Sequence, residues 1–238
     1  MKHLVGNVYG ILTQFGFLNS YVLTLDDGVA VIDIGLDRKH VERLFDGLKK
    51  FGWSETDIKH IFITHAHYDH CGGLADLQRQ VNATTYAHRL DAPIIRGEKQ
   101  PSLANPDELS GIPRLMYNVV FRNPPTSTPA RVDIELGNDD TLDAIYPGMQ
   151  IVHLPGHSYG QIGVWLSQEK MLIGGDVMMR TPFRLTMPIR AASPDWSAAK
   201  DSIRKVGSMG VDALFLGHGQ PITTGAATQI DKLVRHIG

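Results

Sequence analysis

In the run Thr64-His65-Ala66-His67-Tyr68-Asp69-His70, four side chains able to ligate a metal fall within six residues, directly behind the apolar stretch Ile61-Phe62-Ile63. Imidazole and carboxylate together suit zinc, iron or manganese, and packing them into one pocket is costly unless a cation offsets the repulsion and desolvation. A His-rich surface loop is the plain alternative. The apolar run argues against it, because it reads as a buried strand that delivers the loop to one fixed place.

Three later segments follow the same plan of an apolar strand, glycine and a ligand. Ile151-Val152-His153-Leu154-Pro155-Gly156-His157 presents His157, Met171-Leu172-Ile173-Gly174-Gly175-Asp176 presents Asp176, and Ala213-Leu214-Phe215-Leu216-Gly217-His218-Gly219 presents His218. Glycines at these points permit sharp turns and close approach of the backbone to a site.

In order and spacing, the HxHxDH, GH, GD and GHG series resembles the metallo-β-lactamase superfamily, from the strand-turn Val31-Ile32-Asp33-Ile34-Gly35 to Gly219. Residue by residue, the resemblance implies that His65, His67 and His157 hold one divalent metal ion and Asp69, His70 and His218 a second, with Asp176 bridging them. Zinc is the first expectation, with iron, manganese and cobalt open, since His and Asp accept all four. Two such cations can share a water and lower its pKa towards neutrality, giving a bridging hydroxide as nucleophile without a serine or cysteine. Asp69 then has a second expected role as the catalytic residue that orients this hydroxide and passes its proton to the leaving group.

The departures from the family's better-known members narrow the activity. β-Lactamases that resemble the HxHxDH pattern carry serine or cysteine where this chain has Asp176, which disfavours antibiotic hydrolysis. Glyoxalase II-like thioesterases are similar in all ligands, but their Cys-Gly-Lys/Arg segment and helical C-terminal domain have no counterpart here. The missing segment also argues against persulfide dioxygenases. Acyl-homoserine lactonases place tyrosine where Met179 stands. Flavodiiron proteins replace the second histidine with glutamate, and ribonuclease Z-like enzymes need an RNA-binding arm that is not evident. What remains is hydrolysis of a lactone, ester or thioester behind an entrance containing Met116, Phe121, Met178, Met179, Phe183 and Met187. Such walls suit an apolar acyl group better than a polyanion. Phosphodiester or phosphotriester hydrolysis is the enzymatic alternative, and a mononuclear-iron redox or metal-sensing role the alternative of another class.

The chain has 238 residues, 42% hydrophobic and 20% charged, which fits one globular domain over residues 1–238. A net charge of -2 provides no basic field for nucleic acid, so a small-molecule substrate is expected. Cys71, the single cysteine, rules out an internal disulfide and fits a cytoplasmic location. Its contrasting readings are an oxidation-sensitive thiol beside the metals and a small buried residue at a loop-helix junction. Residues Met1 to Gly10 lack the pattern of a cleaved leader and read as a first strand, and no apolar run is long enough to span a bilayer.

Tyr21–Leu25 and Val29–Ile32 read as a hairpin around Asp26-Asp27-Gly28, and residues 37–52 as an amphipathic helix capped by Asp37. A helix from Gly72 towards Gln80 and a strand at 84–87 follow. The second half predicts strands near 131–136, 142–146, 149–154, 162–166, 170–174 and 212–216. Helices are predicted at 194–207, started by Ser193-Pro194, and from about 224. This order suggests an α+β fold of two packed sheets with helices outside. The resemblance sharpens it to a four-layer αβ/βα sandwich, two mixed sheets flanked by helices, with the metals at one sheet edge. Residues 91–130 and 177–190 are long loops and hence candidate substrate walls, or else oligomer contacts that leave a homodimer open. Tyr159, Arg184 and Arg190 are candidate substrate contacts, while His3, His40, His60, His88, His153 and His236 lack ligand partners in the pattern.

Overall fold

Alternate side chains along the apolar runs enter two different cores, and this period of two builds the layers. In the computed structural model, which describes residues 1–13 and 17–238, β1 (Lys2–Val5), β2 (Val8–Leu12), β3 (Asn19–Leu25) and β4 (Gly28–Ile32) form an antiparallel meander. β5 (Ile58–Ile63), β6 (Thr84–His88) and β7 (Ile134–Leu136) continue it in parallel to a seven-stranded sheet. The second sheet contains β8 (Met149–His153), β9 (Ile162–Leu166) and β10 (Met171–Gly175). After a short ribbon of β11 (Met179–Arg180) and β12 (Leu185–Thr186), β13 (Ala213–Leu216) completes it in the order β13-β10-β9-β8.

Leu23, Ile32 and Phe62 of the first sheet meet Ile151, Val164 and Phe215 of the second in the central core. The opposite faces are covered by helices. Val22, Val31 and Ile61 pack on Val41 and Leu44 of α1 (Arg38–Lys49), together with residues from α2 (Tyr68–Cys71) and α3 (Leu74–Gln78). After α4 (Ala92–Ile95) and α5 (Gly111–Met116), α6 (Trp196–Ser208) and α7 (Ala226–Ile237) place Ile203, Val206, Ile230 and Leu233 on Leu172 and Leu214. Each fully buried aliphatic side chain contributes about 1.5–3 kcal/mol. The chain thus folds as the expected α+β sandwich of two mixed sheets flanked by helices. Among the described residues no helix is long and apolar enough to cross a membrane.

Several local expectations need correction. The first ten residues form two strands, because Gly6 at φ 53 turns the chain between them. Residues 142–146 are a turn, not a strand: the Ile145 and Tyr146 amides donate to the Leu142 carbonyl, and the Asp143 carboxylate accepts from the Gly148 amide at 2.9 Å. The strand expected near 131–136 is shortened to Ile134–Leu136. Asp195, not Ser193, caps α6, accepting the Ala198 amide at 2.9 Å. Asp37 does cap α1, through the His40 amide.

Candidate metal centre

β4, β5, β6, β10 and β13 all end at the same mouth of the sandwich, and the cluster is built there from strand ends of both sheets. This places it at the carboxyl ends of β5 and β10, inside their sheets, and of β8 and β13, the two outer strands of the second sheet. His65, His67, Asp69 and His70 follow β5, His157 lies in the β8–β9 loop, and Asp176 and His218 follow β10 and β13. The seven predicted residues come together. Donor atoms of His65, His67 and His157 lie within 4.8 Å of one another, as do those of Asp69, His70 and His218. Asp176 stands between the groups, its oxygens 3.4 Å from His70 and His157 and 3.2 Å from His218. Glycine is required beside it, since a Cβ on Gly217 would collide with the Asp176 carboxylate and the His70 ring.

Hydrogen bonds behind the cluster turn each ring. His70 Nδ1 donates to Asp33 Oδ2 at 2.7 Å, and the same carboxylate accepts the Thr64 amide at 2.8 Å and its hydroxyl at 2.7 Å. Thr64 Oγ1 in turn faces His65 Nδ1 at 3.1 Å. His157 Nδ1 faces Ser193 Oγ at 3.1 Å, and His218 Nδ1 donates to the Phe17 carbonyl. These four rings therefore direct Nε2 to the centre. His67 instead turns Nδ1 inward, 2.9 Å from His157 Nε2.

Asp91 performs the second piece of support. Buried after β6, its carboxylate accepts the Ala66 amide at 2.8 Å, the Ser158 hydroxyl at 2.7 Å and the Gly160 amide at 2.8 Å. It thereby ties together the two loops that carry His67 and His157. The sequence reading missed Asp33 and Asp91 as supports, and with them the ring-orienting use of Ser193. Asp33 did carry a signal: like Asp176, it is an acid closing an apolar strand, and its φ of 58 is unusual for a residue other than glycine.

The donor set fits a cation. Among the described residues, His65 Nε2, His70 Nε2 and Asp176 Oδ1 are buried without a hydrogen-bond partner, a cost of roughly 1–3 kcal/mol each if left so. Two ring nitrogens facing each other at 2.9 Å need a proton or a shared cation between them. Burial lowers His65, His67 and His157, the last to about 3, and neighbouring imidazoles add to the effect at each. Burial would lower His70 and His218 too, but Asp176 first, then Asp33 at His70 and Asp69 at both, raise them to about 9 and about 11. Against burial, His70 and His218 hold the Asp69 and Asp176 carboxyls well below the usual range. Three neutral nitrogens thus adjoin a carboxylate-imidazolium network whose protons a cation can displace.

A cavity of about 320 Å³ opens on His67, Asp69, Asp176 and His218. Residues 91–130 supply Pro101, Leu103, Val120 and Phe121 to its wall, and residues 177–190 supply Met179 and Ile189. The two segments are joined by a small core that includes Leu109, Met116, Tyr117 and Ile189. Of the apolar residues expected at the entrance, only Phe121 and Met179 line this cavity. Met178 is fully buried in the outer core and Met116 packs in the small one. Phe183 and Met187, with Arg184, line a separate cleft against α7. Arg190 binds the Ser193 carbonyl and Glu108 and lies 5.3 Å over the Trp196 ring, which leaves it a structural tie. Cys71 is a buried residue bonded to the His67 carbonyl at 3.3 Å and near Ser127, and burial pushes its thiol up to about 12. His153 stacks on His88 at 4.2 Å and does not join the cluster.

The family model described as the metallo-beta-lactamase superfamily matches residues 13–218. The chain is 25% identical over 235 residues to the probable metallo-hydrolase YflN of Bacillus subtilis (strain 168), spanning 91% of this chain and 85% of that one. It is 25% identical over 170 residues to a hydroxyacylglutathione hydrolase of Ectopseudomonas mendocina, covering 68% of this chain and 48% of that protein. Among solved structures, a metallo-beta-lactamase family protein from Thermus thermophilus superposes with a TM-score of 0.73 at 18% identity, over 99% of this chain and 80% of that one. TTHA1623, crystallised in a di-iron-bound form, gives a TM-score of 0.62 at 22% identity, with 93% of each chain covered.

Proposed function

The chain belongs to the metallo-beta-lactamase superfamily of metallo-hydrolases, and on that premise we propose that it cleaves an ester, thioester or lactone with an apolar acyl group. The observation that carries the reading is the cavity of about 320 Å³, walled by Leu103, Val120, Phe121 and Met179, which opens directly on the seven-residue cluster. Similarity to a hydroxyacylglutathione hydrolase supports an acyl transfer to water.

His65, His67 and His157 would hold one divalent ion, Asp69, His70 and His218 a second, and Asp176 would touch both. Zinc leads, and iron gains support from the di-iron form of TTHA1623. When bound, the ions lower the pKa of water and polarise the scissile carbonyl. The chain's own part follows from its geometry. Apolar residues of the cavity wall exclude water from the acyl group. Asp69, with 36% of its side chain exposed, reaches the cavity from 3.2 Å beside His218, and is ionised. It is placed to accept a proton from the attacking water and return it to the leaving oxygen or sulfur.

The test is a panel of aryl esters, thioesters and lactones on chelator-treated protein reconstituted with zinc, manganese or iron. Hydrolysis should disappear on metal removal, return on reconstitution and be lost in Asp176→Ala. Hydrolysis that survives both chelation and that substitution overturns the reading.

A further inference from the structure

Beside the apolar chamber lies a second cavity of about 370 Å³, and His67 stands in the wall of both. Its chemistry differs. Lys99, Gln100, Ser102 and Tyr159 line it, with Leu90 and Ile94 among them. Lys99 makes no ion pair among the described residues, because the acid next to it, Glu98, is engaged by Arg96 at 2.7 Å. The Tyr159 hydroxyl has no hydrogen-bond partner among the described residues either, although its backbone is fixed. The Tyr159 carbonyl lies 2.9 Å from His153 Nε2, and its neighbours Ser158 and Gly160 are both tied to Asp91. Asp91 is the only acid in the wall and presents almost no surface, being 1% exposed with both oxygens hydrogen-bonded. Lys99 and Tyr159 thus bring to the lining an ammonium and a hydroxyl with no partner among the described residues, while the acceptors of the Asp91 carboxylate are occupied by three donors.

We propose that this cavity is the leaving-group subsite and that it takes a carboxylate borne on the alcohol or thiol half of the substrate. The inference rests on the hydrolase reading above and deepens it. The acyl group occupies the apolar chamber, the scissile carbonyl sits at the metal cluster by His67, and the acidic half extends towards Lys99 and Tyr159. The acyl carbon–oxygen or carbon–sulfur bond breaks, water supplies hydroxyl to the acyl carbon and a proton to the departing oxygen or sulfur, and no other reactant is needed.

The octanoyl esters of para-hydroxybenzoate and para-hydroxybenzamide share the acyl group and leaving-group shape but differ in charge. With the metal-loaded protein, the charged ester should be favoured in kcat/KM by ~10-fold, mostly through KM, as expected for a charge-assisted hydrogen bond. Lys99→Met should remove the preference, Lys99→Arg should retain part of it, and Tyr159→Phe should reduce it. Free para-hydroxybenzoate, titrated calorimetrically, should bind the wild-type chain more tightly than Lys99→Met. Equal rates on both esters in wild type, or a preference unchanged in Lys99→Met, overturns the subsite. If neither ester is cleaved, the hydrolase reading fails. Lys99-dependent binding of para-hydroxybenzoate would then still support the anion site, and its absence would overturn that as well.

Discussion

Asp91→Asn is the most discriminating substitution at the metal centre, because it preserves shape and removes charge and one acceptor. The native carboxylate receives three hydrogen bonds of 2.7–2.8 Å, two at Oδ2 and one at Oδ1. An asparagine keeps a single acceptor oxygen, and its amide nitrogen must face a backbone N–H that cannot receive its hydrogens, whereas the Ser158 hydroxyl can turn to accept one. Depending on how the amide lies, either the Gly160 amide or the Ala66 amide is stranded. At roughly 1–3 kcal/mol for a buried donor left without a partner, the expected loss is about 1–3 kcal/mol. For a chain of this size that lowers Tm by about 2–12 °C. The loops carrying His67 and His157 should loosen relative to each other, so affinity for the first metal should fall by ~10–100-fold, as for other supports of metal ligands. Thermal unfolding of metal-free protein reads the first effect, and competition with a coloured chelator reads the second. Ser158→Ala strands no donor, leaves the Ala66 and Gly160 bonds in place and should cost far less on both scales. Native metal affinity in Asp91→Asn would refute the clamp even if Tm falls, and an unchanged Tm would refute the hydrogen-bond reasoning itself.

Gly217→Ala should abolish stoichiometric metal binding while leaving the circular dichroism spectrum native, since its Cβ collides only with Asp176 and His70; metal analysis after dialysis checks it. His70 and His218 in the metal-free protein are raised above the ordinary 6.5 to about 9 and about 11, so their contribution to stability is full below about pH 6.5 and is lost as pH rises through those two values. Metal-free protein should therefore unfold at progressively lower temperature from pH 8 to 11. Metal binding must displace those protons, and calorimetry in buffers of different ionisation heat should detect their release near neutral pH. In a homologous series of aryl esters, each added methylene should raise kcat/KM by up to about fourfold until the chamber is filled, and Val120→Asp should flatten that slope.

The ligands were legible in the sequence because each one follows an apolar strand closely, so the local pattern also fixes the place in space. Their supports were not. Asp33 meets Thr64 and His70 across two neighbouring strands, and Asp91 meets Ala66 and Ser158 from beyond β6. Those pairings depend on strand order, which no local window contains. The cavity walls failed for a different reason. Met178 and Met179 are adjacent and read alike, but opposite facing sends Met178 into the outer core and Met179 to the chamber. Similarly, the Pro-rich stretch 91–130 reads as loop, whereas Gly111–Met116 is helical and Tyr117–Phe121 forms a wider π turn that brings Val120 and Phe121 to the cavity.

The cluster requires the two sheets to keep a fixed register at the mouth where it lies. Its ligands come from both sheets, so a small slide of one sheet on the other would separate Asp176 and His218 from Asp69 and His70. Polar bonds between the sheets resist that slide where it matters. The Asn19 side chain donates to the Leu216 carbonyl at 3.0 Å, the Tyr21 hydroxyl donates to the same carbonyl at 2.6 Å, and the Asn19 amide donates to the Gly217 carbonyl at 2.9 Å. On the other side the Ile162 amide donates to the Thr64 carbonyl at 2.9 Å. Apolar contact between sheets is tolerant of small shifts, whereas hydrogen bonds of this length are directional. Buried polar residues such as Asn19 and Tyr21 are therefore the means by which two sheets that pack through a non-directional core hold a fixed register at the residues that would bind metal.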